Sequence, residues 1–397
     1  MAMVTLTRFF ACFYCFFFFI LFTVIRLKVR LPVLEILFKS TKKNSNVKYE
    51  ISPLTHSKLK EEIFYQITTK PKRIRPTTLV ILLERSATVL DEPGSKEIMA
   101  SCLVNNCELT NHLDPGVVPD AVVFHDNPPI LSRTSEQIWI FYSLESPLNT
   151  RSFYYLNDMV NWTATYRLDS DLPNPYGLYG RIPTDSPSQI DPNLAQLLAG
   201  KTRLLAWLVS NCYTMNHREA YVHELAKHIQ VDVYGTCSGR PCQWQGLSRN
   251  CSSMLRNDYK FYLAFENSNC RHYITEKLFI NALQNDVVPV VMGAPKEDYE
   301  LLIPAGSFIH VDDFSDPKEL AKFLQTVAAN QTLYESYFYW KKRYKFVDTR
   351  FWCRLCAALN QPKSKSYKSM QRWWLNSKTC QPPKLTRNIS QPVSVFR

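Results

Sequence analysis

The sequence predicts an α/β protein with two folded regions behind an apolar N-terminal segment. Short apolar runs, each ended by turn-forming or Pro-rich sequence, predict strands in a first region at about 77–190. In a second region, at about 200–345, such runs alternate with helical patterns of 10 to 14 residues. This alternation predicts a parallel sheet with helices on both faces.

The apolar segment covers residues 9–25, which contain no charge and lie between Arg8 and Arg26. As a helix it would span about 25 Å, which is at the short end for a bilayer core. Basic residues follow it directly, without the small residues of a signal-peptide cleavage site, so a retained anchor is favoured over a cleaved signal. We predict a cytoplasmic tail at 1–8, a transmembrane signal-anchor at 9–25 and a stem at 26–75.

The net charge of +12 is unevenly distributed. Residues 1–75 carry +10, residues 76–340 carry −11 and residues 341–397 carry +13. An acidic middle between two basic ends offers no globular face to a phosphate backbone, so nucleic-acid binding is disfavoured. The composition, 46% hydrophobic and 21% charged, excludes wholesale disorder and a polytopic membrane protein.

Ten of the 12 cysteines follow the apolar segment, and several form close pairs. A C-x-x-C can be half of a zinc site, but no second half of matching spacing accompanies it, so oxidation to disulfides is favoured. The partner of each cysteine stays open. The disulfide candidates are Cys102 with Cys107, Cys237 with Cys242, and Cys353 with Cys356.

Basic residues flank the anchor on both sides, so its orientation must come from other features. Four N-glycosylation sequons lie downstream of it, at Asn161, Asn250, Asn330 and Asn388. Sequons and disulfides together predict that most of the chain lies in the lumen of the secretory pathway.

We predict strands in the first region at 79–83, 121–125 and 138–145, and in the second at 203–210, 231–235, 261–266, 287–293 and 308–311. The helices of the second region are predicted at 217–229, 275–284 and 316–329. We assign a first domain to 76–195, a second to 196–356 and a basic extension to 357–397. Ligands of such sheets bind beyond the carboxyl ends of the strands, which here predicts a cleft between the regions.

Two helix starts in the second region carry cations. Arg218 lies in the first turn of the helix at 217–229, where Asn216 and Glu219 have the approximate spacing of a capping box. Helix N-termini attract anions and Arg can bind a phosphate in a bidentate way, although a solvated first-turn residue is an equal alternative.

The second of these helix starts, at about Thr275, has Glu276 and Lys277 in its first turn. A Lys there opposes the helix dipole, and a bound polyphosphate would explain its presence. Glu276 could accept hydrogen bonds from sugar hydroxyls, and Tyr273 could give a base or sugar a flat surface. Tyr262 and Phe265 are interpreted as core residues of the preceding strand.

The stretch from 260 to 314, which contains FENS and YITEK, resembles the signature region of the α-1,3-fucosyltransferases, glycosyltransferase family 10. The resemblance extends to ESP at 145–147, to NWTATYRLDSDLPNPYG at 161–177 and to WCRLC at 352–356. It covers roughly residues 100–356, with several separate motifs in the same order.

The resemblance implies a type II Golgi membrane enzyme with a GT-B fold, in which two Rossmann-like domains face a cleft. Such an enzyme moves L-fucose from GDP-fucose, with inversion, to the 3-hydroxyl of a GlcNAc residue in a glycan. It implies that Glu145 of ESP is the general base. It also implies a donor pocket, with these residues: Arg218, Asn267, Tyr273, Glu276 and Lys277.

Asp169 and Asp171 have the D-x-D form of many metal-dependent glycosyltransferases, which is a weak signal. In the resembling family this stretch belongs to a fold that generally needs no catalytic metal. Arg218 and Lys277 would already balance the charge of the leaving nucleotide, so we expect no obligatory cofactor; stimulation by a divalent metal stays open.

His125 and Asp126, in VVFHDNPP, are the acceptor-side candidates, because the resembling family associates this segment with acceptor choice. Many members carry two adjacent histidines here, so the acceptor stays open among chitobiose core, LacNAc and LacdiNAc. The altered segment leaves one alternative, a catalytically silent Golgi glycan-binding protein of the same fold. The basic extension beyond the matched region is interpreted as a solvated tail.

Overall fold

Two five-stranded parallel sheets form the framework of the computed structural model, which describes residues 58–84, 93–128, 132–183, 191–240, 250–376 and 378–382. The first sheet has the order β2-β1-β3-β4-β5 and belongs to what we call the first lobe, residues 79–183. All of its strand pairs are parallel. Its strands are β1 Leu79–Leu83, β2 Cys107–Thr110, β3 Ala121–Phe124, β4 Ile138–Ser143 and β5 Trp162–Thr165.

The strands β1, β3 and β4 of the first sheet are buried on both faces, as their continuous apolar sequences require. Along β3, Ala121 and Val123 point into one hydrophobic cluster, whereas Val122 and Phe124 point into another. All four residues are buried. The predicted strands of this region are confirmed, with β3 and β4 ending one and two residues earlier than predicted.

The strand β6, Tyr179–Arg181, ends the first lobe, and the second sheet follows in what we call the second lobe, residues 191–336. This sheet is also entirely parallel, with the order β11-β10-β9-β7-β8. Its strands are β7 Arg203–Leu208, β8 Asp232–Tyr234, β9 Tyr259–Phe265, β10 Val288–Met292 and β11 Ile309–His310. A last strand, β12 Tyr344–Phe346, pairs antiparallel with β6.

Both sheets therefore share one topology, in which the first strand in sequence lies between the second and the third. Chain connections leave the sheet in opposite directions on the two sides of that first strand, and the loops at this switch point form a crevice for ligands. In the second lobe the switch point lies between β7 and β9. The predicted parallel sheet of this region is confirmed, and Tyr262 and Phe265 are buried in it.

The helices cover the sheets or join them. They are α1 Lys58–Thr68, α2 Pro93–Ala100, α3 Leu194–Ala199, α4 Arg218–Ala226, α5 Cys251–Asp258, a π-helix Lys277–Ala282, α6 Lys296–Leu302, α7 Pro317–Ala329, α8 Gln331–Ser336, α9 Phe351–Leu359 and α10 Met370–Trp374. The helix predicted at 275–284 is thus a π-helix, and a 3₁₀ turn at Leu283–Asn285 follows it. Single π turns of this kind often lie at functional sites.

The capping box predicted at Asn216 and Glu219 is not formed. Helix α4 follows His217, whose backbone is left-handed with φ of 52°, and no side chain caps the helix. The Asn216 amide instead donates to the Glu266 carbonyl, and Thr214 donates to Glu219. These polar groups join the loops after β7 and β9 rather than closing a helix end.

Four disulfides are described, and they confirm that Cys102, Cys107, Cys237, Cys353 and Cys356 are oxidised. None of the close sequence pairs is bonded internally. Cys353 and Cys356 lie one turn apart on α9, so one can bond to Cys102, just before β2, and the other to Cys107, the first residue of β2. The bonds are Cys102–Cys353, Cys107–Cys356, Cys212–Cys237 and Cys270–Cys380.

The interpretation of the basic extension as a solvated tail is wrong for the part that the structure describes. Met370 and Trp374 are fully buried in a core cluster of the first lobe, and Cys380 is bonded to Cys270 of the second lobe. Apolar side chains in the otherwise basic sequence therefore anchor the segment.

Among the residues that the structure describes, no helix has both the length and the apolar composition that crossing a bilayer requires. The predicted tail, the predicted anchor and part of the stem lie outside these residues, as do Cys242 and Asn388.

Candidate active site

Glu145 lies two residues beyond β4, at the carboxyl edge of the first sheet, where the sequence predicts it. Its side chain is partly exposed. Its Oε1 accepts from the Ser146 backbone N–H at 2.7 Å and from the Asn149 amide at 3.3 Å. Within the described residues every hydrogen bond to the carboxylate goes to Oε1, so Oε2 is available for an incoming hydroxyl group.

Tyr273 brings the second lobe to this carboxylate. Its hydroxyl donates to Glu145 Oε1 at 2.7 Å, and its side chain is buried. Burial, together with the nearby Tyr176 and Glu145, raises the pKa of Tyr273 well above its ordinary value, so the phenol keeps its proton and remains a donor. The structure therefore joins one predicted residue from each lobe.

Three further contacts hold the lobes together beside this bond. The Ser146 and Ser268 hydroxyls lie 2.7 Å apart, and both residues are fully buried. Gly177 of the first lobe lies against the Phe279 ring of the π-helix, where an added Cβ would overlap a ring carbon. The Tyr166 ring packs edge-on against Tyr273, with 5.0 Å between centroids.

Lys277 is held by a buried carboxylate that the sequence reasoning missed, that of Glu266. Lys277 Nζ lies 2.9 Å from Glu266 Oε2, and the Glu266 side chain is 1% exposed. Thr275 donates to Glu266 through its backbone N–H at 2.8 Å and through its hydroxyl at 2.9 Å. Gly293 has a φ of 145°, and a Cβ there would lie 2.8 Å from Glu266 Cβ, so this close packing requires glycine.

The charge of Lys277 is secured by its two carboxylate neighbours. Burial alone would lower the pKa of Lys277, but Glu266 and Glu276 outweigh it and raise that pKa above its ordinary value. Burial opposes ionisation of Glu276 as well, yet Lys277 lowers the pKa of Glu276 overall. The predicted Glu276 and Lys277 are therefore an ion pair, with 3.3 Å between Nζ and Oε1.

Arg218 is buried, so the alternative of a solvated first-turn residue is wrong. Its guanidinium donates to the Phe265 carbonyl at the end of β9 and to the Asn211 carbonyl after β7. It therefore spans the switch point of the second sheet. Its Nε has no hydrogen-bond partner among the described residues, which leaves one buried donor in this crevice.

Asn267, the remaining residue of the predicted donor pocket, is partly exposed in the loop after β9. Its Oδ1 accepts from the Ser268 hydroxyl at 3.2 Å. The structure thus places all five predicted donor-side residues on the loops that follow β7 and β9 or at the helix starts that end those loops. The signal that could have revealed Glu266 is its position directly after a buried strand, where an acid requires a partner.

The acceptor-side candidates lie next to Glu145 on the first lobe. His125 Nδ1 is 2.9 Å from Asp126 Oδ1, and His125 Nε2 is 3.3 Å from the Ser143 hydroxyl. Ser143 in turn accepts from the Glu145 backbone N–H at 3.4 Å. The Tyr155 hydroxyl donates to the Asp126 carbonyl. These groups lie at the carboxyl edges of the adjacent strands β3 and β4.

The two D-x-D carboxylates bond to protein groups. Asp169 forms a bidentate ion pair with Arg167, whereas Asp171 accepts from the Thr163 backbone N–H and from Lys365. The two acids are thereby directed to different partners. The expectation that no metal is obligatory stays a prediction.

The described sequons differ in what their amides do. Asn250 and Asn330 cap helices α5 and α8 through their side-chain oxygens. The Asn161 nitrogen donates to the Lys365 carbonyl at 2.9 Å. Attachment of glycans at these positions stays a prediction.

His272 is a buried histidine between the lobes, and it predicts an acid-sensitive stability. Burial lowers its pKa below the ordinary 6.5, even though Asp298 opposes this. Neutral Nδ1 accepts from the Leu168 backbone N–H at 3.4 Å, a bond that protonation would remove. The unfolded chain takes up the proton first, so we expect stability to fall as the pH drops below about 6.5, by up to about 1.4 kcal/mol per pH unit.

The measurement is the melting temperature between pH 7 and pH 5 for the wild type and for His272→Asn. Asparagine suits the backbone φ of 61° and can replace the accepting nitrogen. We expect a smaller acid-induced drop in His272→Asn, and an unchanged drop in the exposed control His112→Asn. An equal drop in wild type and His272→Asn would show that His272 does not carry this dependence.

Comparison with known proteins gives family matches in both lobes. A family model described as "Glycosyltransferase family 10 (fucosyltransferase) C-term" matches residues 198–373, and "Fucosyltransferase, N-terminal" matches residues 76–177. The chain is 43% identical over 292 residues to glycoprotein 3-alpha-L-fucosyltransferase A of Drosophila melanogaster, which covers 71% of this chain and 57% of that relative.

A second relative, alpha-(1,3)-fucosyltransferase 7 of Mus musculus, is 37% identical over 282 residues, which is 68% of each chain. A crystal structure of an alpha1,3-fucosyltransferase with GDP-fucose shares the fold, with a TM-score of 0.50 and 17% identity over 77% of this chain and 97% of that one. The predicted α/β fold is confirmed and is GT-B-like. The chain is an enzyme of glycosyltransferase family 10, the fucosyltransferases.

Proposed function

We propose that this enzyme transfers L-fucose from GDP-fucose to the 3-hydroxyl of a GlcNAc residue in a glycan, with inversion and with Glu145 as general base. The names of the relatives support the α-1,3 linkage, and the related crystal structure with GDP-fucose supports the donor. The observation that carries the proposal is the 2.7 Å hydrogen bond between Glu145 and Tyr273, which sets the predicted base against the predicted donor pocket.

Glu145 has the properties that a base for this reaction needs. Inverting transfer requires one group to take the proton from the attacking hydroxyl while the nucleotide leaves from the opposite face of the sugar. Tyr273, Ser146 and Asn149 all donate to Oε1, which fixes the carboxylate and leaves Oε2 for the proposed proton transfer. Donors on one oxygen orient the base without occupying its other lone pairs.

Charge balance for the departing GDP would come from the second lobe. Lys277 is cationic. Arg218 lies at the same edge of the second sheet, and its Nε–H has no hydrogen-bond partner within the described part of the chain. Fixed cations in a partly buried site stabilise a developing negative charge without the cost of reorganising solvent. Glu276 is about one-third exposed, and in this proposal it accepts hydrogen bonds from fucose hydroxyls.

We further propose that the folded region lies in the Golgi lumen behind a type II anchor at 9–25, and that no divalent metal is obligatory. The disulfides support an oxidising compartment. The ion pair of Asp169 with Arg167 supports a reaction without an obligatory metal, because the Asp169 carboxylate already has a partner of opposite charge.

The test is a transfer assay on the full chain in membrane vesicles, with labelled GDP-fucose and acceptors that carry chitobiose core, LacNAc or LacdiNAc. We expect product only after detergent opens the vesicles, and undiminished activity in EDTA. GDP at 100 times its Kd should stabilise the fold by about 2.7 kcal/mol, whereas UDP should not. Absence of transfer to every acceptor would refute the proposed activity and favour the silent glycan-binding alternative.

A further inference from the structure

We propose that the C-terminal strap, residues 363–376 and 378–382, positions the catalytic Tyr273–Glu145 pair. The strap fixes the loop of residues 266–275, here named the tyrosine loop, against the first lobe. The inference concerns positioning, since the strap itself supplies no group to the reacting atoms.

One end of the strap is built into the first lobe. Tyr367 exchanges backbone hydrogen bonds with Asp158 and Val160, at 2.8 and 2.9 Å. Trp374 is fully buried, and its ring packs against Phe141 with 5.4 Å between centroids. Its indole N–H donates to the Thr150 hydroxyl at 2.8 Å.

Arg167, two residues after β5, binds the strap. Its guanidinium lies 4.4 Å from the ring centre of Trp373 and donates to the carbonyls of Trp373 and Trp374. The same guanidinium pairs with Asp169. Two carbonyls, one carboxylate and one aromatic face thus engage a single buried side chain, which fixes the strap geometrically.

The other end of the strap is bonded to the tyrosine loop of the second lobe. Cys380 forms a disulfide with Cys270. Around it, the Arg271 backbone N–H donates to the Thr379 carbonyl at 2.8 Å, and the Gln381 N–H donates to the Asn269 carbonyl at 2.7 Å. The strap therefore ties the two lobes together covalently at a point three residues before Tyr273.

The contacts continue from the strap to the reacting pair. The Tyr166 ring packs edge-on against Trp374 of the strap, at 6.0 Å, and against Tyr273, at 5.0 Å. Thr275, the last residue of the tyrosine loop, donates to Glu266, the first residue of the loop, which directly follows β9. With the strap in place, Tyr273 is fixed from both ends of its loop and across its ring, which keeps its hydroxyl at Glu145 Oε1.

The test replaces the linking disulfide in the full chain by Cys270→Ser with Cys380→Ser. We expect hydrogen exchange of the backbone amides at 271–275 to rise at least about tenfold, because local opening becomes easier. We expect kcat to fall about tenfold or more, since a small displacement of positioned groups lowers the rate. The Kd of GDP should stay within about twofold, because Arg218 and Lys277, the cations proposed to balance its charge, lie outside the tyrosine loop. The control is Cys102→Ser with Cys353→Ser, which removes a disulfide between the first lobe and α9.

In the control we expect a lower melting temperature, with kcat and the exchange at 271–275 unchanged. A second pair of variants leaves both cysteines in place. Gln381→Pro removes the backbone N–H that donates to the Asn269 carbonyl, and Gln381→Ala keeps it. We expect Gln381→Pro alone to accelerate exchange in the tyrosine loop.

Unchanged exchange and kcat in the double serine variant, or an equal loss of kcat in both disulfide variants, would overturn the proposal. So would equal exchange in Gln381→Pro and Gln381→Ala. The kcat part of the inference rests on the proposed function, whereas hydrogen exchange requires no turnover. An inactive wild type with the expected exchange pattern would therefore refute the proposed activity and leave the link between strap and loop intact.

Discussion

Glu145→Gln should lower kcat by about 10²- to 10⁴-fold while GDP binds with nearly unchanged affinity. Glutamine keeps the size of the side chain and its carbonyl oxygen can still accept from Tyr273, so the contact between the lobes survives. An amide, however, cannot take a proton from the acceptor hydroxyl at neutral pH. The loss should therefore appear in kcat, with little change in the melting temperature.

The measurements are steady-state transfer kinetics and calorimetric titration with GDP. Glu136→Gln is the matched control, because Glu136 is an exposed acid just before the same strand, β4. It should leave kcat and GDP affinity at wild-type values. Full turnover in Glu145→Gln would remove Glu145 from the role of base, and loss of GDP binding would indicate a role in the donor pocket instead.

The strands that were predicted are short apolar runs between turn-forming residues, whereas β2 and β5 carry polar residues and were missed. The run at 79–83 coincides with β1, and the run at 287–293 differs from β10 by one residue at each end. Burial on both faces leaves no polar alternation in these strands, and this made them recognisable. Helix type was less predictable, since nothing in the periodicity of residues 275–284 distinguishes a π-helix from an α-helix.

The place of the candidate site was predictable from strand ends, whereas the roles of its residues came from the family resemblance. Glu145 follows a strand of the first sheet, and Arg218 and Lys277 follow strands of the second. In each parallel sheet such strand ends meet at one edge. Their partners were not predictable in the same way. The Glu145–Tyr273 bond joins residues 128 positions apart, and its existence depends on how the two lobes meet.

The disulfide partners of the cysteines were likewise not predictable from the sequence. The spacing of the cysteines left their partners open, and two of the bonds connect residues 251 and 249 positions apart. Helix α9 lies against the first sheet, and only this packing brings its cysteines to Cys102 and Cys107. The basic composition of the C-terminal extension likewise concealed Met370 and Trp374, two core residues in a charged sequence.

Lys277→Met should combine two losses. It leaves the Glu266 carboxylate, 1% exposed, without its cation, and breaking such a buried pair costs about 3 to 5 kcal/mol. It also removes the cation proposed to balance the leaving GDP, so we expect GDP affinity and kcat/KM to fall at least about 100-fold. Chemical denaturation and transfer kinetics measure the two effects separately.

The double variant Lys277→Met with Glu266→Gln separates the structural role of Lys277 from its catalytic role. Glutamine carries no charge, so the penalty of an unpaired buried carboxylate disappears, and its carbonyl oxygen can still accept from Thr275. We expect it to regain more than half of the lost stability, with kcat/KM still at least about 100-fold below wild type. Recovery of turnover together with stability would mean that Lys277 serves only to neutralise Glu266, and the charge balance proposed for the leaving nucleotide would then have to come from Arg218 alone.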